Sequence, residues 1–198
     1  MYLYGASGHG KVVKEVAEAC QRKVEGFIDD NTKLQVLQGV PVKHGLEGVD
    51  EVFISVGDNA TRKCLAQSIA CPITPPLIHP QTIISPSAKL GEGTVAMAGV
   101  IINAASVIGR HCIINTGATI DHECVLADYV HISPHATLCG MITVGEGAWV
   151  GAGAVVIPGI HIGAWSVIGA GSVVVEDIPD GCLAYGNPCR VVKKINQG

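Results

Sequence analysis

An unbroken six-residue repeat governs the C-terminal half of this chain. Reading every sixth residue from Ile84 to Val174 gives sixteen consecutive apolar positions without an insertion. Neither an α-helix, with about 3.6 residues per turn, nor a strand, with its alternation of two, produces a period of six. Three short strands joined by tight turns do produce it, because each residue of such a triangular coil stacks on the one 18 positions away. The repeat therefore predicts a left-handed parallel β-helix.

Two further registers within the repeat support this fold. The position four residues after each aliphatic residue is mostly small or β-branched, as expected beside it in a narrow interior. Cys112 and Cys124 fall in this inward register, which indicates core filling rather than reactivity. Glycine often follows the aliphatic residue directly, where it should relieve crowding at the turn. These glycines are Gly91, Gly109, Gly145, Gly151, Gly163 and Gly169.

The first 80 residues lack the repeat and follow a different pattern. The expected elements are strands at Tyr2–Tyr4, 24–28 and 51–56, a helix over 11–21, and a second helix from Asp58 or Asn59 to about residue 70. Strand, glycine turn, helix, strand and acidic residue form the pattern of a small Rossmann-like nucleotide-binding domain. We therefore divide the chain into an α/β domain at 1–80, a β-helix at 81–178, and a tail at 179–198 that covers the open end of the β-helix.

A glycine-rich turn, from Gly5 to Gly10, connects the first strand to the first helix. It differs from the phosphate loop of nucleoside triphosphatases, because Val12 occupies the place of the Ser or Thr that holds magnesium. It also differs from the GxGxxG of dinucleotide enzymes, since its glycines are spaced GxxGxG. Backbone N–H groups at the start of a helix can still face a diphosphate. The alternative is a tight turn that only packs the helix on the strand.

Candidate nucleotide contacts lie on this turn and after the next strand. Ser7, Gly8 and His9 lie on the turn, where a diphosphate would sit. Asp29 and Asp30 end the next strand, where a ribose or the edge of a base would be recognised.

His122 stands out among the five histidines of the repeat because Asp121 and Glu123 flank it. It lies two positions after an aliphatic residue, at or near a corner, so its side chain should point out of the coil. Flanking carboxylates can fix the tautomer and raise the basicity of an outward imidazole, which suits a general base near neutral pH. The residues 18 positions away, Ala104 and Gly140, are small and leave space around the ring. Most of the other histidines are interpreted as solvated surface residues.

Charge and cysteine usage narrow the class of protein. The formal net charge of −4 gives no electrostatic case for a nucleic acid or an anionic membrane as partner. No apolar run reaches the roughly 18 residues that span a bilayer, and the N-terminus does not resemble a signal peptide. The eight cysteines contain no CxxC pair. They favour reduced thiols and a cytoplasmic location.

The chain resembles the bacterial nucleotide-sugar acetyltransferases that combine a small α/β domain with a left-handed β-helix. Similar members are the UDP-4-amino-sugar N-acetyltransferases of the bacillosamine (protein glycosylation) pathway and the sialic acid O-acetyltransferases. The resemblance covers nearly the whole chain. It is carried by YGASGHG at 4–10, FIDD at 27–30, IHP at 78–80, IISPSA at 83–88, IDHECV at 120–125 with His131, and GNP at 186–188.

This resemblance implies an acetyl-CoA-dependent N-acetyltransferase that acts directly, without an acyl-enzyme, on the 4-amino group of a UDP-linked amino-dideoxy sugar. It implies His122 as general base, Glu123 as the residue that orients it, no metal, and a homotrimer with sites between subunits. The residues implied to contact acetyl-CoA are His131, Gly140, Ala152 and Ala170. Those implied to contact the UDP-sugar are Ser7, Gly8, His9, Asp29, Asp30, Gly57 and Asn115.

Other functions stay open at the level of sequence. The acceptor could instead be another amino sugar or a hydroxyl group of a sugar or sialic acid. A γ-class carbonic anhydrase shares the β-helix and binds zinc through three histidines, for which His122, His131 and His135 are candidates. A trimeric scaffold without catalytic activity is a further alternative.

Overall fold

The computed structural model describes residues 1–195 and begins with an α/β unit. Its elements are β1 (Tyr2–Tyr4), α1 (Gly8–Ala19), β2 (Gly26–Ile28), β3 (Val36–Leu37), β4 (Val40–Lys43), β5 (Val52–Ile54) and α2 (Asn59–Ser68). The sheet has the order β3-β4-β2-β1-β5, and only β3 runs antiparallel to its neighbour. The carboxyl ends of β1, β2, β4 and β5 therefore meet at one edge, the position at which Rossmann-like sheets bind ligands.

Both helices begin where the sequence offers a capping residue. α1 begins at Gly8, earlier than the predicted residue 11, so Ser7 is its N-cap and His9 lies in its first turn. α2 has Asp58 as N-cap, whose carboxylate accepts a hydrogen bond from the backbone N–H of Thr61 at 2.8 Å. The early start of α1 brings His9 into the helix, close to the edge of the sheet.

Strands of two residues recur every six residues through the second part of the chain. They are β6 (Leu77–Ile78), β7 (Ile83–Ile84), β8 (Lys89–Leu90), β9 (Val95–Ala96), β10 (Ile101–Ile102), β11 (Val107–Ile108), β12 (Ile113–Ile114), β13 (Thr119–Ile120), β14 (Val125–Leu126), β15 (His131–Ile132), β16 (Thr137–Leu138), β17 (Thr143–Val144), β18 (Trp149–Val150), β19 (Val155–Val156), β20 (His161–Ile162), β21 (Val167–Ile168) and β22 (Val173–Val174). Each pairs in parallel with the strand one coil away, as Ile102 does with Ile120. The predicted β-helix with its 18-residue coil is thus confirmed.

The coils present three sheets. The first, here called the docking sheet, contains β6, β9, β12, β15, β18 and β21, the second runs from β7 to β22, and the third from β8 to β20. A hairpin of β23 (Cys182–Gly186) and β24 (Cys189–Lys194) extends the docking sheet. Its residues Cys182, Ala184 and Cys189 are buried in the solenoid core. The predicted division after residue 80 falls between β6 and β7, both of which are solenoid strands.

Glycines occupy two kinds of position in the coils, for two different reasons. The second residue of each corner has a left-handed backbone, with φ of 58° at Glu123 and 62° at Tyr129. The glycines that directly follow an aliphatic residue have a different cause. A Cβ on Gly109 would lie 2.6 Å from the carbonyl carbon of Ala127 in the next coil. The crowding that these glycines relieve is therefore contact between stacked coils.

The α/β unit packs against the first coils of the docking sheet. Val13 and Val16 of α1 belong to one buried cluster with Val95, Met97 and Ile113, whose side chains lie on the outer face of that sheet. The outer positions of later coils are free of this cover, and Trp149 is 46% exposed. The cover ends next to His131, which lies between Ile113 and Trp149 on the docking sheet.

A buried arginine completes the attachment. The side chain of Arg62 donates to the backbone carbonyls of His111 at 2.7 Å and Tyr129 at 2.9 Å. Asn59, one turn earlier on α2, donates to the carbonyl of Gly147 at 3.0 Å. These three carbonyl groups belong to the second corner residues of successive coils, which lie 18 positions apart in the sequence. The coil-to-coil hydrogen bonds use the carbonyl of the first corner residue instead, as in the bond from Tyr129 N–H to Arg110. Helix α2 therefore supplies hydrogen-bond donors to a row of backbone carbonyl groups that the solenoid itself leaves unpaired.

We expect Arg62→Met to lower the free energy of unfolding by roughly 3–5 kcal/mol, because four carbonyls lose their side-chain donor in a buried site. Urea denaturation measures the effect. Arg22→Met, which removes a half-exposed ion pair with Glu51, is the control and should cost less than about 1 kcal/mol. Equal losses in the two variants would contradict the attachment described for α2.

Candidate functional site

His122 and Glu123 form one corner of the coil, between β13 and β14. The backbone N–H of His122 donates to the carboxylate of Asp121 at 2.8 Å, which holds the turn. The side chains of His122 and Glu123 are 49% and 62% exposed. The structure thus confirms an outward position for the imidazole that the sequence selected.

The imidazole of His122 has a defined tautomer. Its Nδ1 lies 3.0 Å from Oε2 of Glu123, and a carboxylate can only accept, so Nδ1 carries the proton. The second nitrogen, Nε2, then has the free lone pair that a general base needs. Because both groups are exposed, solvent screens their attraction, and the main effect of Glu123 is to orient the ring.

Gly140 makes room for this ring in the next coil. A Cβ at position 140 would lie 2.5 Å from Nε2 of His122 and 2.6 Å from its Cε1. The φ angle of Gly140 lies outside the left-handed region. An alanine could therefore adopt this backbone but would push the imidazole away.

Gly140→Ala should lower kcat at least tenfold while the thermal unfolding temperature stays within a few degrees of the parent, because the ring moves and the coil does not. Steady-state kinetics and differential scanning calorimetry measure the two quantities. Gly45→Ala is the control, since a Cβ at Gly45 meets nothing within 4 Å. An unchanged kcat in Gly140→Ala would show that the position of this imidazole is unimportant.

Cys124 follows His122 by two residues but is unsuited to act as a nucleophile. It is fully buried in the solenoid core, and its Sγ–H donates to the carbonyl of Cys139 at 3.1 Å. Burial raises the pKa of the Cys124 thiol, and it raises that of Cys112 to about 12. Both cysteines therefore fill the core as the sequence predicted.

A second histidine cluster lies where the α/β unit meets the docking sheet. His131, on β15, is 8% exposed and stacks on Trp149 with ring centroids 5.6 Å apart and planes 4° apart. Its Nε2 lies 3.2 Å from the side-chain amide of Asn115. The indole N–H of Trp149 donates to the hydroxyl of Ser133 at 2.7 Å, which fixes the stacking partner.

Both imidazoles at this junction are neutral. The pKa of His131 is lowered to about 3, mainly because the ring is buried and also because Arg62 is positively charged nearby. Burial and Arg62 lower the pKa of His9 to about 4. His9 also sits in the first turn of α1, where the helix dipole disfavours a positive charge. Its buried Nε2 has no hydrogen-bond partner within residues 1–195.

An apolar groove of about 480 Å³ leads away from His131 along the docking sheet. It brings together three of the residues predicted to contact acetyl-CoA, His131, Ala152 and Ala170. Gly140, the fourth, lies beside His122 instead. The sequence analysis missed Ser133 and Trp149 in this groove, although the 18-residue register places Trp149 next to His131.

The glycine turn and its neighbours border the carboxyl edge of the α/β sheet. Ser7 makes no capping hydrogen bond with its side chain, and a Cβ on Gly8 would meet open space. Asp29 accepts hydrogen bonds from the backbone N–H groups of Ala6 at 2.8 Å and Asn31 at 2.9 Å, so it shapes the turn. Asp30 is exposed and accepts from the hydroxyl of Tyr4 at 3.0 Å.

A cavity of about 390 Å³ opens beyond this edge, at the end of β4. Lys43, His44 and Glu47 line it, and Nδ1–H of His44 donates to the carbonyl of Asp29 at 2.9 Å. The sequence analysis missed these residues, because β3 and β4 are short strands that it did not predict. Gly57 borders His9 on the opposite side of the turn, where a Cβ on the glycine would lie 3.8 Å from the side chain of His9.

Comparison with known proteins identifies the family. A profile described as the PglD N-terminal domain matches residues 1–69, and one described as bacterial transferase hexapeptide (six repeats) matches residues 141–175. A mutant of perosamine N-acetyltransferase from Caulobacter crescentus, solved in complex with CoA and GDP-perosamine, is 40% identical with a TM-score of 0.92, over 98% of this chain and 96% of that one. This chain belongs to the hexapeptide-repeat sugar N-acetyltransferases.

Two further relatives agree with this assignment. The acetyltransferase domain of PglB from Neisseria gonorrhoeae FA1090 is 36% identical with a TM-score of 0.90, over 96% of this chain and 98% of that one. The UDP-N-acetylbacillosamine N-acetyltransferase of Bacillus subtilis (strain 168) is 46% identical in an alignment of 110 positions that covers 48% of this chain and 50% of that protein. The family that the sequence resembled is therefore confirmed.

Family membership favours acyl transfer over the γ-class carbonic anhydrase alternative. His122 lies at a corner between the second and third sheets, whereas His131 lies on the docking sheet. Across residues 1–195, no group of three or more His, Cys, Asp or Glu side chains is arranged to hold a metal ion.

In the same part of the chain, no helix has the length and apolar character to cross a membrane.

Proposed function

We propose that this protein is an acetyl-CoA-dependent N-acetyltransferase that modifies the 4-amino group of a nucleotide-linked amino-dideoxy sugar. The supporting observation is the meeting of two features at one junction. The groove suited to the pantetheine arm ends at His131, and the turn suited to a diphosphate ends at His9, an imidazole near enough to interact electrostatically with His131. Acetyl donor and sugar would therefore meet there.

The reaction proceeds by direct transfer. The neutral sugar amine attacks the thioester carbonyl carbon, and Nε2 of His122 accepts the proton that the amine loses. The tetrahedral intermediate collapses with cleavage of the carbon–sulfur bond, the CoA thiolate takes up a proton, and His122 becomes neutral again by releasing the proton that it accepted. Glu123 keeps the proton of His122 on Nδ1 during these steps. The products are the amide and free CoA, and no acyl-enzyme forms.

A homotrimer is part of this proposal. In one chain, His122 and the groove at His131 lie on different sides of the prism, so a single chain cannot bring both to one amine. A cyclic trimer can place the His122 corner of one subunit against the docking sheet of its neighbour. Ala152, Ala170 and the backbone near Gly140 would then border acetyl-CoA in the cleft. A cytoplasmic location remains a prediction.

His122→Ala should lower kcat by about 10²–10⁴-fold with little change in either KM, because it removes a positioned base. His131→Ala should also be inactive. Mixing the two inactive proteins by co-refolding should restore turnover, since about a quarter of the clefts in a random one-to-one mixture then hold both histidines. Failure to recover activity in verified mixed trimers, or full activity in a monomer, would overturn the shared site.

The nucleotide is proposed to be UDP, as in the Bacillus subtilis relative, with GDP as second candidate because of the Caulobacter crescentus relative. UDP-linked 4-amino sugars should raise the thermal unfolding temperature more than GDP- or dTDP-linked ones, with and without CoA. Asp30→Asn should weaken this effect and raise KM for the sugar without changing KM for acetyl-CoA. Asp50→Asn, at the opposite edge of the sheet, is the control. Larger stabilisation by GDP-sugars would replace UDP with GDP.

A further inference from the structure

The two ring nitrogens of His131 have different surroundings. Nε2 lies 3.2 Å from Nδ2 of Asn115. Nδ1 has no hydrogen-bond partner within residues 1–195. It is also not one of the unpartnered polar atoms there that are fully buried from solvent. The parallel indole of Trp149 holds the plane of the ring. Because His131 lines the groove, Nδ1 is the ring nitrogen available to a ligand there.

The orientation of the Asn115 amide is determined by its neighbour. The backbone N–H of Thr116 donates to Oδ1 of Asn115 at 2.8 Å, and an N–H can only donate to an oxygen of that amide. The NH2 group of Asn115 must therefore face His131. It can only donate, so Nε2 of His131 accepts with its lone pair.

The charge state of His131 then determines which ring nitrogen carries the single proton. The junction disfavours an imidazolium, because His131 is buried and the nearby Arg62 is positively charged. The guanidinium of Arg62 makes its hydrogen bonds to backbone carbonyls and to the side-chain oxygen of Asn59, so no carboxylate among these partners neutralises it. A neutral imidazole whose Nε2 accepts carries its proton on Nδ1.

We propose that Asn115 is a positioning residue that holds His131 as the Nδ1–H tautomer, so that this N–H donates to the acetyl carbonyl oxygen of acetyl-CoA. The proposal rests on the proposed function. Negative charge develops on that oxygen when the amine attacks, and a fixed donor stabilises it without giving up its proton. The opposite tautomer would present a lone pair to the oxyanion. His122 and His131 would thus act as acceptor and donor in one reaction.

The tautomer can be measured without turnover. Long-range ¹H–¹⁵N correlation spectra of the full chain with ¹⁵N-labelled histidine, at pH 7, distinguish protonated from unprotonated ring nitrogens. His131→Gln identifies the resonances of His131. We expect a protonated Nδ1 and an unprotonated Nε2 in the parent. In Asn115→Asp, whose carboxylate accepts, we expect the proton on Nε2. A parent enzyme with the proton on Nε2 would overturn the proposal.

The kinetic consequence separates tautomer control from simple packing. Asn115→Asp should lower kcat about 10²-fold with KM for acetyl-CoA changed by less than a few fold. Leucine has a similar size to asparagine but cannot donate a hydrogen bond, so Asn115→Leu should also lower kcat. This variant replaces Asn115→Asp in the test if the aspartate variant does not fold. Asn115→Gln, which keeps an amide donor, should recover part of kcat. Parent-like kcat in folded Asn115→Asp whose spectra report the proton on Nε2 would overturn the proposal.

The two proposals fail in distinguishable ways. If the parent enzyme transfers acetyl groups and Asn115→Asp matches it, the role of Asn115 falls while the proposed function stands. If the parent transfers no acetyl group to any nucleotide-linked amino sugar, the proposed function falls together with the donor role of His131. The spectra then still decide whether Asn115 sets the tautomer.

Discussion

The attachment of α2 to the solenoid determines the geometry of everything at the junction. A parallel solenoid satisfies one carbonyl of each corner through the next coil and leaves the other unpaired, a cost when that corner is buried. Arg62 and Asn59, one helical turn apart, reach three such carbonyls in successive coils. Together with the packing of α1 on the docking sheet, these contacts hold the α/β unit, which carries His9, against the solenoid. Burial, together with the charge of the same guanidinium, lowers the pKa of both imidazoles.

In the proposed mechanism, two histidines with opposite environments divide the chemistry between them. His122 is exposed, next to a carboxylate, and has a free Nε2 lone pair. His131 is buried, next to a cation, and accepts from an amide at Nε2. One environment produces a proton acceptor and the other a neutral donor. Identical side chains thus acquire different functions from their neighbours alone, as pairs of carboxylates do in other enzymes.

The sequence predicted whatever depends on near neighbours or on the fixed period. The repeat from Ile84 to Val174 determined the coil, and adjacent residues marked the His122–Glu123 pair. Contacts between distant residues left no such signal. Arg62 reaches Tyr129, 67 positions away, and nothing in the composition of α2 distinguishes that arginine from a surface residue. The strands β3 and β4 were missed because they have two and four residues and include Pro41, which disfavours strands.

The use of backbone carbonyls by α2 has a consequence for how such proteins diversify. Every solenoid of this type exposes the same main-chain groups at its corners, whatever side chains it carries. A nucleotide-recognising unit with an equivalent arginine and asparagine could therefore be grafted onto a foreign solenoid, or exchange its base preference, without matched changes at the joint. Recombination between genes would preserve the joint, while donor and acceptor specificities evolved separately on its two sides.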